Sequence, residues 1–136
     1  MLPEFKFHHI GIATNSIELT SEYYMEAGYS KSETTFDSIQ NVNICFLSKP
    51  GMPMVELLEP VNDKSPVNKT IKTTGVSPYH CCYIVSDLDK ALFDLRKKKF
   101  FMLSKPVKAI AINNNRICFL YNKEVGLIEL VEIKNE

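Results

Sequence analysis

The sequence predicts an α+β fold built from two βαβββ modules, and an internal repeat is what predicts it. Ile44-Cys45-Phe46-Leu47 recurs as Ile117-Cys118-Phe119-Leu120, and Val55-Glu56-Leu57-Leu58-Glu59 recurs as Ile128-Glu129-Leu130-Val131-Glu132, both at an offset of 73 residues. Upstream, His9-Ile10-Gly11-Ile12 followed by Asn15-Ser16-Ile17-Glu18 matches His80-Cys81-Cys82-Tyr83 followed by Val85-Ser86-Asp87-Leu88-Asp89 at an offset of 71, so the second copy carries two extra residues in its middle. The copies span residues 7–60 and 79–133 of one domain covering 1–136, with a linker over 61–78.

Each copy opens with a short alternating strand, residues 7–14 and 79–85, that runs into a helix-start signal. Asn15 with Glu18 and Ser86 with Asp89 supply an N-cap acceptor and an acid near the positive helix end. Helices are expected over 16–27 and 88–98. Leu19, Tyr23 and Ala27 in the first, and Leu88, Leu92 and Leu95 in the second, recur at three and four residues and predict the faces that pack on a sheet. Gly28 is expected to stop the first helix. Three extended runs follow each helix, over 29–35, 42–48 and 54–59, then 100–103, 115–121 and 127–133. In the linker, Asn62-Asp63, Ser65-Pro66 and Ser77-Pro78 are turn signals, with room for a short helix over 66–73.

Composition bounds the function. With 136 residues, 45% hydrophobic, the chain needs no disulfide or structural metal to fold, so any metal site must be argued as functional. Sixteen basic side chains balance sixteen acidic ones, and no charged run exceeds Arg96-Lys97-Lys98-Lys99, which argues against nucleic acid as a partner. That run reads first as a solvated helix end complementing the dipole, with a contact to the phosphates of a ligand as the alternative. No apolar stretch approaches the ~20 residues that span a bilayer, and residues 1–9 lack a signal-peptide core, which predicts a soluble, cytoplasmic protein without a membrane partner. Cys45, Cys81, Cys82 and Cys118 lie in apolar runs without a CxxC pair, as expected of buried, reduced thiols.

Strand parity singles out four polar residues. His9 shares its face with Phe7, Gly11 and Ala13, and its repeat mate is His80, whereas His8 falls on the other face. Glu56 and Glu129 each sit between apolar neighbours at equivalent places in the last strands. A carboxylate centred in an apolar strand is costly unless paired, protonated or bound to a cation. Any one of these residues alone would be ordinary. Two imidazoles and two carboxylates at matching repeat positions form a nitrogen/oxygen set suited to one divalent transition metal with open positions for substrate. His9, Glu56, His80 and Glu129 are therefore the candidate ligands. Glu59 and Glu132, on the opposite faces near strand ends, are expected in solvent.

From Phe7 to Glu132, through His8-His9-Ile10-Gly11-Ile12-Ala13, Val55-Glu56-Leu57-Leu58-Glu59-Pro60, Ser65-Pro66-Val67 and Gly126-Leu127-Ile128-Glu129-Leu130, the chain resembles the vicinal oxygen chelate superfamily, also called the glyoxalase/bleomycin-resistance/dioxygenase superfamily. Within it these residues look most like glyoxalase I and methylmalonyl-CoA epimerase. The resemblance implies a cupped, barrel-like mixed sheet of the glyoxalase-like type. It also implies one divalent ion (Ni, Co or Zn) on His9, Glu56, His80 and Glu129, a small-molecule substrate and a homodimer. The implied chemistry is proton abstraction next to a carbonyl through a metal-bound enediolate, with Glu129 and its symmetry mate Glu56 as bases.

The first expectation is a lactoylglutathione lyase of the glyoxalase I type, acting on a thiol-derived hemithioacetal. Its alternative is methylmalonyl-CoA epimerase-like racemisation of an acyl-CoA. The epimerase pattern has a second catalytic Glu where this chain shows Asn43, and a glycine-rich loop where it has Ala111-Ile112-Asn113-Asn114-Asn115. An alternative of another class is a non-catalytic, antibiotic-binding protein, which the four intact ligand candidates oppose. An iron oxygenase with two His and one carboxylate is opposed by the additional Glu56. Gln40, Asn43 and Arg116, around the middle strands, are the expected substrate contacts.

Overall fold

In a computed structural model that describes residues 1–134, β1 (Lys6–Ala13) alternates as its sequence predicts, with His9, Gly11 and Ala13 buried. It leads into α1 (Ile17–Glu26), then β2 (Ser30–Lys31), β3 (Thr35–Asp37), β4 (Val42–Ser48) and β5 (Val55–Pro60). A linker helix, α2 (Asn68–Thr74), precedes the second copy: β6 (Ser77–Val85), α3 (Leu88–Arg96), β7 (Phe101–Met102), β8 (Val107–Ala109), a 3-10 turn at Ile110–Ile112, β9 (Asn115–Asn122) and β10 (Gly126–Glu132). The α+β class and the repeated element order follow the sequence. The first extended run after each helix holds only a two-residue strand, β2 or β7, and a three-residue strand follows after a gap, β3 overlapping the expected run 29–35 only at Thr35 and β8 lying beyond the expected run 100–103; the two pair with different parts of β4 or β9. No helix of the described residues is long and apolar enough to cross a membrane.

The chain divides into two compact units, His9–Tyr79, and Met1–His8 together with the chain from His80 on. In the first the strand order is β2-β4-β5-β1, with β3 also on β4; in the second it is β6-β10-β9-β7, with β8 also on β9. The opening and closing strands of each copy run parallel, β1 beside β5 and β6 beside β10, while β4–β5 and β9–β10 are antiparallel. A parallel pair needs a long crossover, and here the helix and middle strands supply it.

One face of each sheet packs on its helix. Ile10, Ile12, Cys45, Leu47, Val55 and Leu57 meet Ile17 and Tyr24 in the first unit. Val85, Cys118, Leu120, Ile128 and Leu130 meet Leu88, Ala91, Leu92 and Leu95 in the second. Burial at the equivalent Cys45 and Cys118 pushes both thiols up to about 11, so they remain protonated and inert. None of the four cysteines is in a disulfide, and Cys81 is only half-buried.

Two expectations need correction. The buried positions of α1 are Ile17 and Ser21, with Thr20 and Tyr24 half-buried, whereas Leu19 and Tyr23 are 62% and 75% exposed. Ile17 is anchored at the strand face, and positions three, four and seven residues on follow it inward; the more conspicuous apolar pair lies on the outer side. The caps also shift by one residue. Ser16 Oγ accepts from the Leu19 amide and Asp87 Oδ1 from the Lys90 amide, at 3.1 and 3.0 Å, which places Asn15 and Ser86 just outside the helices. Both helices end in the same turn: Tyr29 N–H donates to Tyr24 O and Phe100 N–H to Leu95 O, across Gly28 at φ 96° and Lys99 at φ 66°.

Candidate active site

The face of each sheet turned away from its helix carries the four candidate ligands. On the first, Gly11 pairs with Glu56, so His9, two residues upstream on the same side of β1, reaches the carboxylate: His9 Nε2 lies 3.3 Å from Glu56 Oε1. On the second, Cys82 pairs with Glu129, and His80 Nε2 lies 3.0 Å from Glu129 Oε1. Relative exposures of 0% and 3%, then 4% and 2%, take all four side chains out of water. Buried ionisable groups persist when each is matched to a polar partner, and here imidazole and carboxylate are matched in the same way twice.

Each pair has a wall that the sequence reading overlooked. Phe46 is the cross-strand neighbour of Glu56 and Phe119 that of Glu129. Their rings stand edge-on to His9 and His80, with centroids 5.4 and 5.2 Å apart and interplanar angles of 74° and 88°. These phenylalanines fix the imidazole planes and keep apolar surface beside the carboxylates. The signal was present, because both belong to the repeated Ile-Cys-Phe-Leu segment and alternate with the helix-facing cysteine.

Two donor atoms about 3.0–3.4 Å apart match the separation of neighbouring ligands around an ion bound at about 2.0–2.2 Å. Each His–Glu pair therefore offers one nitrogen and one oxygen at chelating separation. Neutral imidazole and carboxylate suit zinc, nickel and cobalt alike.

The expected substrate contacts lie elsewhere. Asn43 and Arg116 share their strand faces with Cys45 and Cys118, on the helix side, and both serve carboxylates. Asn43 Nδ2 donates to Glu59 Oε1 at 3.1 Å, while Glu59 Oε2 accepts from the Ile17 amide at 2.8 Å. Arg116 donates to both Glu132 oxygens and to Asp89, while Glu132 Oε2 accepts from the Leu88 amide at 2.8 Å. Glu59 and Glu132, expected in solvent, are thus the devices that clamp each helix start to its own last strand. Gln40 Nε2 donates to the buried Asp37, whose other oxygen accepts from the Ile39 and Gln40 amides and closes the turn before β4.

The Arg116 hydrogen bond, reinforced by the Leu88 amide, holds the Glu132 carboxyl below the ordinary carboxylate value, and the carboxylates hold Arg116 protonated. A depressed folded-state pKa adds stability that is present above the unfolded value near ~4.3 and is lost as pH falls through the folded one. Glu132→Gln is therefore expected to cost about 1–2 kcal/mol at pH 7. In urea titrations the gap between the two proteins should narrow below about pH 4; a constant gap would show that the charge contributes nothing.

A model of the Glyoxalase/Bleomycin resistance protein/Dioxygenase superfamily matches residues 8–119. The mitochondrial methylmalonyl-CoA epimerase of Mus musculus is 30% identical over 129 residues, covering 92% of this chain and 71% of that one. Its Homo sapiens counterpart is 30% identical, with 92% and 72% covered. Among solved structures, methylmalonyl-CoA epimerase from Mycobacterium tuberculosis superposes with a TM-score of 0.86 at 26% identity, covering 99% of this chain and 94% of that one. A methylmalonyl-CoA epimerase in complex with methylmalonyl-CoA and NH4+ superposes with a TM-score of 0.81 at 28% identity, with 94% of each covered.

Proposed function

Because the chain belongs to the Glyoxalase/Bleomycin resistance protein/Dioxygenase superfamily, we propose that it is an acyl-CoA epimerase of the methylmalonyl-CoA type, with His9, Glu56, His80 and Glu129 holding one divalent ion. The observation that carries this reading is the buried His–Glu pair built twice, at equivalent places on equivalent strands. The similar proteins named epimerases support the acyl-CoA alternative over the hemithioacetal lyase that the sequence put first. With Asn43 where the epimerase pattern has its second catalytic glutamate, this reading assigns the second base to Glu56. The Asn43 side chain is on the helix side, hydrogen-bonded to Glu59, so a carboxylate there would not share the face of Glu56.

Epimerisation needs a proton removed from one face of a carbon and returned to the other, and a duplicated carboxylate suits that demand. In this reading one glutamate takes the proton from the carbon next to the thioester carbonyl, the C–H electron pair moves toward the carbonyl oxygen, and the second glutamate delivers a proton from the opposite side. The ion, when bound, would supply Lewis-acid polarisation of that carbonyl. Phe46 and Phe119 exclude water beside the bases, and His9 and His80 stand at chelating separation from the carboxylate oxygens, so that each imidazole would share the ion with its glutamate. Homodimerisation belongs to the same reading and is checked by sedimentation.

The test is to reconstitute the protein with Ni, Co or Zn and follow (2S)-methylmalonyl-CoA in D2O by NMR. Interconversion of the epimers with deuterium incorporated at C2, suppressed by a chelator, is the expected result. Turnover of the glutathione hemithioacetal without any exchange at C2 would restore the lyase reading. Neither reaction at any metal would overturn both.

A further inference from the structure

On the helix side of the second unit, away from the face that carries His80 and Glu129, a cavity of about 390 Å³ opens between the end of α3 and the edge strands. Its floor is apolar, made by Leu92, Phe100 and Leu120, with Phe101 at the rim, and its remaining wall carries the cationic Arg96 and Lys99. We infer that this cavity binds a phosphate monoester carried on a planar aromatic body of nucleotide size, with the ring against the phenylalanines and the phosphate between Arg96 and Lys99.

The repeat shows that the second copy departs from the first here. Lys99 stands at the repeat position of Gly28 and adopts the same left-handed backbone, φ 66° against 96°. A side chain at that conformation is unfavourable where glycine is free of penalty, and the first copy uses the glycine. In the first copy a strand lysine fills the space: Lys49 Nζ donates to Ala27 O at 2.7 Å, and its side chain lies 3.4 Å from where a Cβ on Gly28 would sit. In the second copy the equivalent residue is Asn122, whose shorter amide serves Lys98 O and Lys99 O at 3.2 Å each. The second copy thus carries a cation, Lys99, in the cavity wall at the position where the first copy has a glycine.

The charges match one kind of ligand. Among the described residues neither Arg96 nor Lys99 makes an ion pair, whereas Lys90 is committed to Asp94 and Lys97 lies over the Phe93 ring at 4.2 Å. Two cations, one a planar guanidinium, complement the nearly double charge of a phosphate monoester better than a single carboxylate. A cavity within the usual range for small-molecule sites, floored by aromatic and aliphatic side chains, adds the apolar half of the recognition.

Calorimetric titration of the metal-loaded protein tests this with adenosine 5′-monophosphate, inorganic phosphate and coenzyme A as probes. Saturable binding of the nucleotide is expected below about 1 mM, at least ~tenfold tighter than inorganic phosphate. Coenzyme A then enters as a competitor: displacement of the nucleotide that Lys99→Gly weakens would assign the site to the nucleotide end of a carrier, and no displacement would assign it to free nucleotides. Lys99→Gly is the diagnostic variant, because it removes the cation while relieving the backbone: its Tm should be equal or higher and its affinity roughly tenfold lower. Arg96→Gln should weaken binding similarly, and Lys97→Gln should leave it unchanged. Glu129→Gln, on the other face, should bind the nucleotide normally whichever way the epimerase assay falls. No saturation by about 10 mM nucleotide, or an undiminished affinity in Lys99→Gly, would overturn the assignment.

Discussion

Glu129→Gln is expected to slow epimerisation by roughly 10²- to 10⁴-fold while leaving the fold intact. The amide keeps the volume and hydrogen-bonding reach of the carboxylate beside His80, so packing against Phe119 is preserved; the capacity to take a proton is lost together with one anionic ligand of the proposed ion, so wild type and variant are compared at matched metal content. The same holds for Glu56→Gln beside His9 and Phe46. If the two carboxylates divide the work, the single variants fail differently. Each should retain slow deuterium exchange from the one epimer whose C–H faces the surviving base, and the two variants should prefer opposite epimers. NMR of each pure epimer in D2O reads this directly. Equal loss of exchange from both epimers in one variant, with none in the other, would replace the two-base scheme by a one-base scheme.

Leu95→Ala is expected to cost about 2–5 kcal/mol. Leu95 is fully buried on α3, in the cluster with Leu88, Leu92, Leu120 and Leu130. Neighbours held on two strands and a helix cannot collapse into the space left, so the loss includes a cavity as well as transfer of the deleted methyl groups. Phe93→Ala, two residues earlier on α3 and on its outward side, removes a larger side chain that is 60% exposed and forfeits little beyond its contact with Lys97. The midpoint of urea unfolding should fall sharply for the first and hardly for the second, with the slope unchanged in both. A small effect at Leu95 would mean that α3 is docked far more loosely than its burial indicates.

What was legible in the sequence was what depends on short spacing. Alternation on β1 and β6 placed His9 and His80 on one side, and the fixed interval within each copy placed Glu56 and Glu129 at matching positions; the structure pairs each histidine with its glutamate. What was not legible depends on partners distant in sequence. Glu59 and Glu132 read as solvent-facing strand ends because the amides they cap lie 42 and 44 residues upstream. Asn43 and Arg116 read as substrate contacts because their faces were undecided until their strands had partners. On α1 the eye follows Leu19 and Tyr23, but a helix with a single anchoring residue, Ile17, is oriented by that contact and not by the largest apolar pair.

The parallel pairing of first and last strands also makes each His–Glu pair a reporter of completed folding. Within each copy the two donors belong to the strands that are joined last along the chain, on opposite sides of a helix and the intervening strands. Local encounters close first and distant ones afterwards, because loop closure must be met before a parallel pair returns any stabilisation. A chain that has formed only its helices and hairpins therefore holds no chelating His–Glu pair, and that pair and the native topology arrive in the same step.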